Sequence, residues 1–151
     1  MQKDKKVILA IDQASNCGWA INNQIYGCWD LTTRRDEDSG MKMIRFRNKL
    51  KEICEAESVD IIVYERVAGQ HKSSIIHSSK MVAIIEVFCK DNGLNYAAFS
   101  AKEIKQYATG KGNANKEAMV NAAKKYGYEG DNDNIADALH IWNLAQEIYN
   151  Q

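Results

Sequence analysis

Proline is absent from the 151 residues, so the chain holds no Pro-rich linker and no PxxP ligand. The four cysteines, Cys17, Cys28, Cys54 and Cys89, form no C-x-x-C pair. That spacing argues against a zinc ribbon. No apolar run approaches the ~18 residues that a membrane-spanning helix needs. The opening MQKDKKVILAID has only a short apolar stretch before Asp12 and no cleavage-site pattern, so no signal peptide is expected. The expectation is a cytoplasmic protein with reduced thiols and no membrane contact. An excess of charge is also missing, because Lys plus Arg and Asp plus Glu number 20 each. A uniformly basic nucleic-acid coat is excluded, whereas a local basic face balanced by an acidic site is not.

What is present suits a globular domain: 45% of residues are hydrophobic and 26% charged, which excludes a disordered tail, a collagen and a coiled-coil rod. The length predicts one domain spanning residues 1–151. Val7–Asp12 is apolar and β-rich, and Gly18–Ile21 and Gln24–Leu31 follow with Asn22-Asn23 as a turn signal between them. These three segments predict an antiparallel meander. Met41–Ala56 repeats apolar residues at helical spacing through Met43, Phe46, Leu50 and Ile53. Val59–Tyr64 is a near-continuous apolar run, as expected of a central strand covered on both faces. Ser74–Cys89 predicts a helix and Leu94–Phe99 a short strand. Ser100 caps a helix to about Tyr107, with Glu103 completing a capping box. Asn115–Lys125 and Asp131–Tyr149 predict further helices. The pattern is α/β: a mixed five-stranded sheet, its first three strands antiparallel, flanked by helices.

Three acidic residues stand at telling places. Asp12 ends one apolar strand, Glu65 ends another, and Asp137 lies in the first turns of the last helix. Carboxylates at the ends of adjacent strands share a sheet edge, and a helix packed over that edge can add Asp137. Asp133 or Asn134 would join it from the same helix face, four or three residues earlier. Such a cluster repels itself and calls for a cation, and oxygen-only ligands suit Mg²⁺ or Mn²⁺. A pair of such ions clamps the attacking water and the leaving oxygen of a phosphodiester. Each residue also has an ordinary reading: Asp12 as a turn carboxylate, Glu65 as a solvated strand end, and the Asp/Asn cluster as a helix cap. Jointly these ordinary readings need three coincidences.

Two apparent motifs fail. Asp131-x-Asp133 opens like a calcium loop but meets Ala136 where glycine is required and Trp142 where the bidentate Glu belongs. Gly110-Lys111-Gly112-Asn113 lacks the Ser/Thr of a phosphate-binding P-loop. Basic residues are nonetheless concentrated. Ser100–Gly130 carries six lysines against three acids, and Arg34–Lys51 carries seven basic residues against three. Lys111 lies between two glycines, where a backbone can approach a phosphate closely.

Four segments in order resemble the RuvC family of Holliday junction resolvases, close to its compact phage-type members. They are Ile8–Ile21 (ILAIDQASNCGWAI), Ile61–Val67 (IIVYERV), Ser100–Met119 (SAKEIKQYATGKGNANKEAM) and Asp131–Trp142 (DNDNIADALHIW). The resemblance implies an RNase H-like fold and a homodimer that incises four-way DNA junctions, leaving 5′-phosphate and 3′-hydroxyl ends. It places Asp12, Glu65 and Asp137 at the catalytic acids, holding two Mg²⁺ ions per site with Mn²⁺ able to substitute. It places Lys105 and Lys116 at DNA-contacting lysines, with Lys116 beside the reacting phosphate. The chain departs from the pattern twice. Asn134 stands where the family carries an acid or His, leaving Asp133 or Asn134 as fourth ligand. Val67-Ala68-Gly69-Gln70-His71 lacks the Phe that many cellular members use to open the junction. The expected function is thus an endonuclease for branched DNA. A less selective flap or fork endonuclease and a non-catalytic junction-binding protein stand as alternatives. Helix Ser74–Cys89 is the expected dimer interface, since Met81, Val82, Ile84, Ile85 and Phe88 offer more apolar surface than one core contact needs.

Overall fold

The computed structural model describes residues 4–151. Strands β1 (Ile8–Asp12), β2 (Asn16–Ala20) and β3 (Tyr26–Asp30) form the antiparallel meander. The turn between β2 and β3 is set by Asn22, whose Oδ1 accepts from the amides of Gln24 and Ile25, each at 2.7 Å. Then come α1 (Ser39–Glu57), β4 (Ile61–Glu65), α2 (Lys72–Asn92) and β5 (Asn95–Phe99). Helices α3 (Ala101–Thr109), α4 (Lys116–Ala122), a 3-10 turn (Ala123–Tyr126) and α5 (Asp133–Tyr149) close the chain. The sheet order is β3-β2-β1-β4-β5, with β1, β4 and β5 parallel. No helix among the described residues is long and apolar enough to cross a membrane.

Element ends shift by a few residues throughout, and two of the shifts have a clear local cause. The helix predicted from Asp131 begins at Asp133, because Asn132 turns its side chain back to accept from the Ile135 amide at 3.0 Å. The helix predicted over Asn115–Lys125 ends at Ala122 and tightens into the 3-10 turn, which Gly127 closes with a positive φ of 92°. The Ser100–Glu103 capping box forms as its spacing predicts.

Side-chain alternation along β1 and β4 divides the interior into two cores. Leu9, Ile11, Ile62 and Tyr64 face a core shared with Phe46 and Leu50 of α1 and Met81 and Ile85 of α2. Ile8, Ala10, Ile61 and Val63 face the opposite core, with Ile104 of α3, Met119 of α4 and Ile141 and Ala145 of α5. Each fully buried Leu or Ile contributes about 1.5–3 kcal/mol of apolar transfer energy, which fixes the register of both central strands. Most of the apolar surface expected to mark α2 as an interface is absorbed here. Met81, Ile85 and Phe88 are buried, and Val82 and Ile84 pack at the core's rim. Ile76 and Val87 are the large apolar side chains that α2 leaves exposed, at 47% and 60%.

Candidate active site

Alternation also decides which way the acids point. Asp12 continues the Ile8–Ala10 row and Glu65 continues the Ile61–Val63 row, so both belong to the face covered by α5. The parallel register pairs Ile11 with Tyr64, which brings the two acidic residues side by side at the next position. Helix α5 supplies Asp133 and Asp137 one turn apart.

The seating of α5 depends on Gly18, the β2 partner of Asp12. A Cβ at Gly18 would lie 2.0 Å from the Asn134 carbonyl oxygen and 2.4 Å from its carbon. Only hydrogen at this position lets the first turn of α5 rest on the sheet. Farther along, Trp142 Nε1 donates to the Ile8 carbonyl at 3.1 Å and locks the helix along β1. Gly18 was not singled out for function from the sequence, although a glycine inside a strand is the available signal for close backbone approach.

The carboxyl groups feel one another strongly. Asp12 is deeply surrounded, though it keeps some solvent contact. Its pKa is raised well above the ordinary carboxylate value, first by burial and then by Asp137, Glu65 and Asp133, while Lys116 opposes the rise. Asp137 is pushed up to about 7 by burial and by the charges of Glu65 and Asp133. Glu65 is raised by burial, against the pull of Lys105. Without a cation, the site therefore holds protons that isolated carboxylates would have released. As the side chains stand, no three of the described acidic, His or Cys groups close to a ready-made coordination shell.

The donor set fits a hard divalent cation. Two thiols lie within electrostatic reach of Asp12, those of Cys17 and Cys28, but burial pushes both upward and keeps them protonated. The ionised donors are thus oxygens alone, the set that Mg²⁺ and Mn²⁺ prefer. Gln13 adds a polar group at the margin: its Nε2 donates to the Glu65 carbonyl, and its Oε1 is buried without a partner.

Lys105 and Lys116 border the acids, as the sequence predicts for these two. Lys105 from α3 acts on Glu65 and Asp137, and Lys116 acts on Asp12 and Asp137. Lys116 Nζ stands 3.6 Å from Asp133 Oδ2 and is almost fully exposed. The α4 helix that carries Lys116 is tied to α5 by His140, which is wholly buried. His140 Nε2 donates to the Met119 carbonyl at 2.8 Å, so its Nδ1 accepts from the Tyr126 hydroxyl at 2.9 Å. Burial holds this imidazole neutral by lowering its pKa. Lys111 lies apart: it is not among the charges acting on the acids, and its amide donates to Thr109 Oγ1 at 3.1 Å. Its backbone is therefore already engaged within the chain. Asn134 contributes its backbone carbonyl to the contact over Gly18, whereas the Asp133 carboxylate acts on both Asp12 and Asp137. An open groove of about 940 Å³ runs from Lys116 and Asp133 along Asn115, Glu129 and Asp131.

Comparison with known proteins gives a consistent identity. A family model described as "Crossover junction endodeoxyribonuclease RuvC" matches residues 8–142. Among solved structures, Thermus thermophilus RuvC in complex with a Holliday junction substrate is similar at a TM-score of 0.70 and 17% identity, covering 89% of this chain and 88% of that one. A second Thermus thermophilus RuvC structure gives a TM-score of 0.67 at 16% identity, covering 94% and 96%. No curated protein sequence matches the chain. The chain belongs to the RuvC family of crossover junction endodeoxyribonucleases, metal-dependent hydrolases of branched DNA with an RNase H-like fold.

Proposed function

We propose that this member of the RuvC family resolves four-way DNA junctions as a cytoplasmic homodimer, with Asp12, Glu65, Asp133 and Asp137 holding two Mg²⁺ ions per active site. One observation carries the reading: four carboxylates converge on the α5 side of one sheet edge, and burial and mutual repulsion raise the pKa of Asp12 and Asp137. A divalent cation relieves that repulsion, and Mn²⁺ would serve in place of Mg²⁺. When bound, a pair of such ions supplies Lewis-acid activation of water and neutralises charge at the leaving oxygen.

The chain's own residues do the remaining work. Asp12 and Glu65 are fixed by the β1–β4 ladder, so their separation is set by strand spacing and not by loop motion. Asp137 and Asp133 approach from α5, whose position Gly18 and Trp142 determine. Lys105 and Lys116 offset the charge of the DNA backbone beside the acids, and Lys116 touches the reacting phosphate, a role supported by its ammonium group standing beside Asp133. Of the two candidate fourth ligands, Asp133 is supported by its charge acting on both neighbours. Asn134 serves the helix seat. The cut leaves 5′-phosphate and 3′-hydroxyl ends. Contacts of this kind go to phosphates, so base preference is weak unless another element enters a groove.

The test uses labelled four-way junction, duplex and flap DNA incubated with Mg²⁺ or with EDTA. Symmetric paired nicks confined to the junction and abolished by EDTA are expected. Binding without cuts in Mg²⁺ would leave only a junction-binding protein. Equal cutting of the flap would select the less selective nuclease, a reading favoured by the absence of a Phe in the Val67–His71 segment.

A further inference from the structure

Across the sheet edge from the carboxylates, on the α1–α2 face, lies a second polar cluster with the opposite charge. Lys42 of α1 donates from Nζ to Ser15 Oγ at 2.9 Å. Lys80 of α2 donates from Nζ to Ser39 Oγ at 3.4 Å. His77 sits one turn before Lys80, and its Nε2 is buried without a hydrogen-bond partner. Its pKa is lowered by burial and by the charges of Lys42 and Lys80, so both lysines lie within electrostatic reach of the ring.

These cations have no paired counter-charge among the described residues. Neither lysine lies in a salt bridge among the described residues. The nearby acids at the start of α1 are committed elsewhere. Glu37 pairs with Arg45, and Asp38 caps the helix by accepting from the amides of Gly40 and Met41. Two ammonium groups, an imidazole with a free nitrogen and two hydroxyls form the donor set of a phosphate site. Ser15 follows Asp12 by three residues in the β1–β2 turn, so the cluster borders the same edge as the acids. Neither lysine is among the charges acting on Asp12 or Asp137, so it is separate from the carboxylate cluster.

We propose that Lys42, His77 and Lys80, with the hydroxyls of Ser15 and Ser39, bind a backbone phosphate of the DNA substrate, one distinct from the phosphate being cut. The proposal rests on the nuclease reading above, since the activity brings the phosphate. The site anchors a DNA arm on the α1–α2 face while the acids work on the α5 face.

The experiment compares wild type with the Lys42→Gln/Lys80→Gln double variant on one four-way junction. Binding is measured in EDTA over a range of salt, and cleavage in Mg²⁺ at saturating DNA. The log–log salt slope is expected to fall by about one per site and affinity by roughly tenfold, from the loss of released counterions. The cleavage rate at saturation and the melting temperature should stay near wild type. His77→Gln should weaken binding less, and the His77 ring resonances of wild type should shift when junction is added. An unchanged slope and affinity overturns the site. So does a lowered melting temperature with unchanged binding, which would make both lysines struts between the helices. Wild type that neither binds nor cuts the junction overturns the nuclease reading instead. In that event, a His77 resonance that inorganic phosphate does not move overturns the site on its own.

Discussion

The two ends of β1 and β4 hold acidic side chains under opposite conditions. At the end where the strands begin, Asp60 Oδ2 accepts from the Val7 amide at 2.8 Å, and Asn150 clamps Lys6 through both of its backbone groups at 2.8 and 2.9 Å. The carboxylate there is exposed, hydrogen-bonded and useful to the backbone. At the other end, Asp12, Glu65 and Asp137 are more enclosed and accept no hydrogen bond from the described residues. Burial moves their pKa values upward, and neighbouring carboxylates add to the rise at Asp12 and Asp137. The same residue type thus stabilises one end of the ladder and burdens the other. Burden without an internal partner marks the end built for something outside the chain.

Exchanging charge at the two ends should separate them most clearly. Asp12→Asn and Glu65→Gln are each expected to lower junction cleavage by about 10³-fold or more while leaving binding intact or tighter, because a polyanion loses a repulsive neighbour. Asp60→Ala should cost about 1 kcal/mol of stability through the lost Val7 bond and leave cleavage unchanged. Nicking assays and gel-shift titrations on the same junction, beside thermal melts, check all three. Loss of folding in the Asp12 or Glu65 variant would make that end structural as well.

Gly18 offers the next largest effect. Gly18→Val should destabilise the protein by roughly 2–4 kcal/mol, since its side chain would overlap the Asn134 carbonyl and lift α5 from the sheet. Cleavage should collapse with it, as Asp133 and Asp137 leave Asp12. Near-wild-type cleavage by this variant would show that α5 can be re-seated.

A subtler break concerns protons. Asp137 titrates near 7 in the folded chain against an ordinary value of 3.8. A group that holds its proton more tightly when folded adds stability below the unfolded value and loses it as pH rises through the folded one. The metal-free protein should therefore weaken between about pH 4 and pH 7. Asp137→Asn should be more stable than wild type at pH 8 by roughly 1–3 kcal/mol and equal to it at pH 4. Melting curves in EDTA at the two pH values test this, and Mg²⁺ should raise the melting temperature of wild type alone.

The smallest effect distinguishes the two neighbours on α5. Asp133→Asn is expected to raise the Mg²⁺ concentration for half-maximal cleavage several-fold, from lost carboxylate charge, with Asn134→Ala closer to wild type. Wild-type behaviour of the Asp133 variant alongside an inactive Asn134→Ala would assign the fourth ligand to Asn134.

Much of this was legible because the local signals were strong. The alternation in ILAID and IIVYE, the Ser100–Glu103 box and the helical stripe through Phe46 and Leu50 all reappear in space. The acids were legible because each closes a buried strand or opens a helix. What spacing between glycines could not say is that the Lys111 amide is already held by the Thr109 hydroxyl. How the apolar residues of α2 divide between core and surface was not legible, because a count of them carries no direction.

Periodicity and strand-end chemistry, which act between near neighbours in the chain, by themselves determined the elements, their types and which acids stand at strand ends and the helix start. Only the tertiary structure decided that Asp12 and Glu65 share the α5 face, that Gly18 yields its side-chain volume to α5, and that Lys42 of α1 comes within electrostatic reach of His77 on α2. Those outcomes depend on register and helix seating. Both are set by contacts between residues tens to more than a hundred positions apart, where no local pattern carries the information.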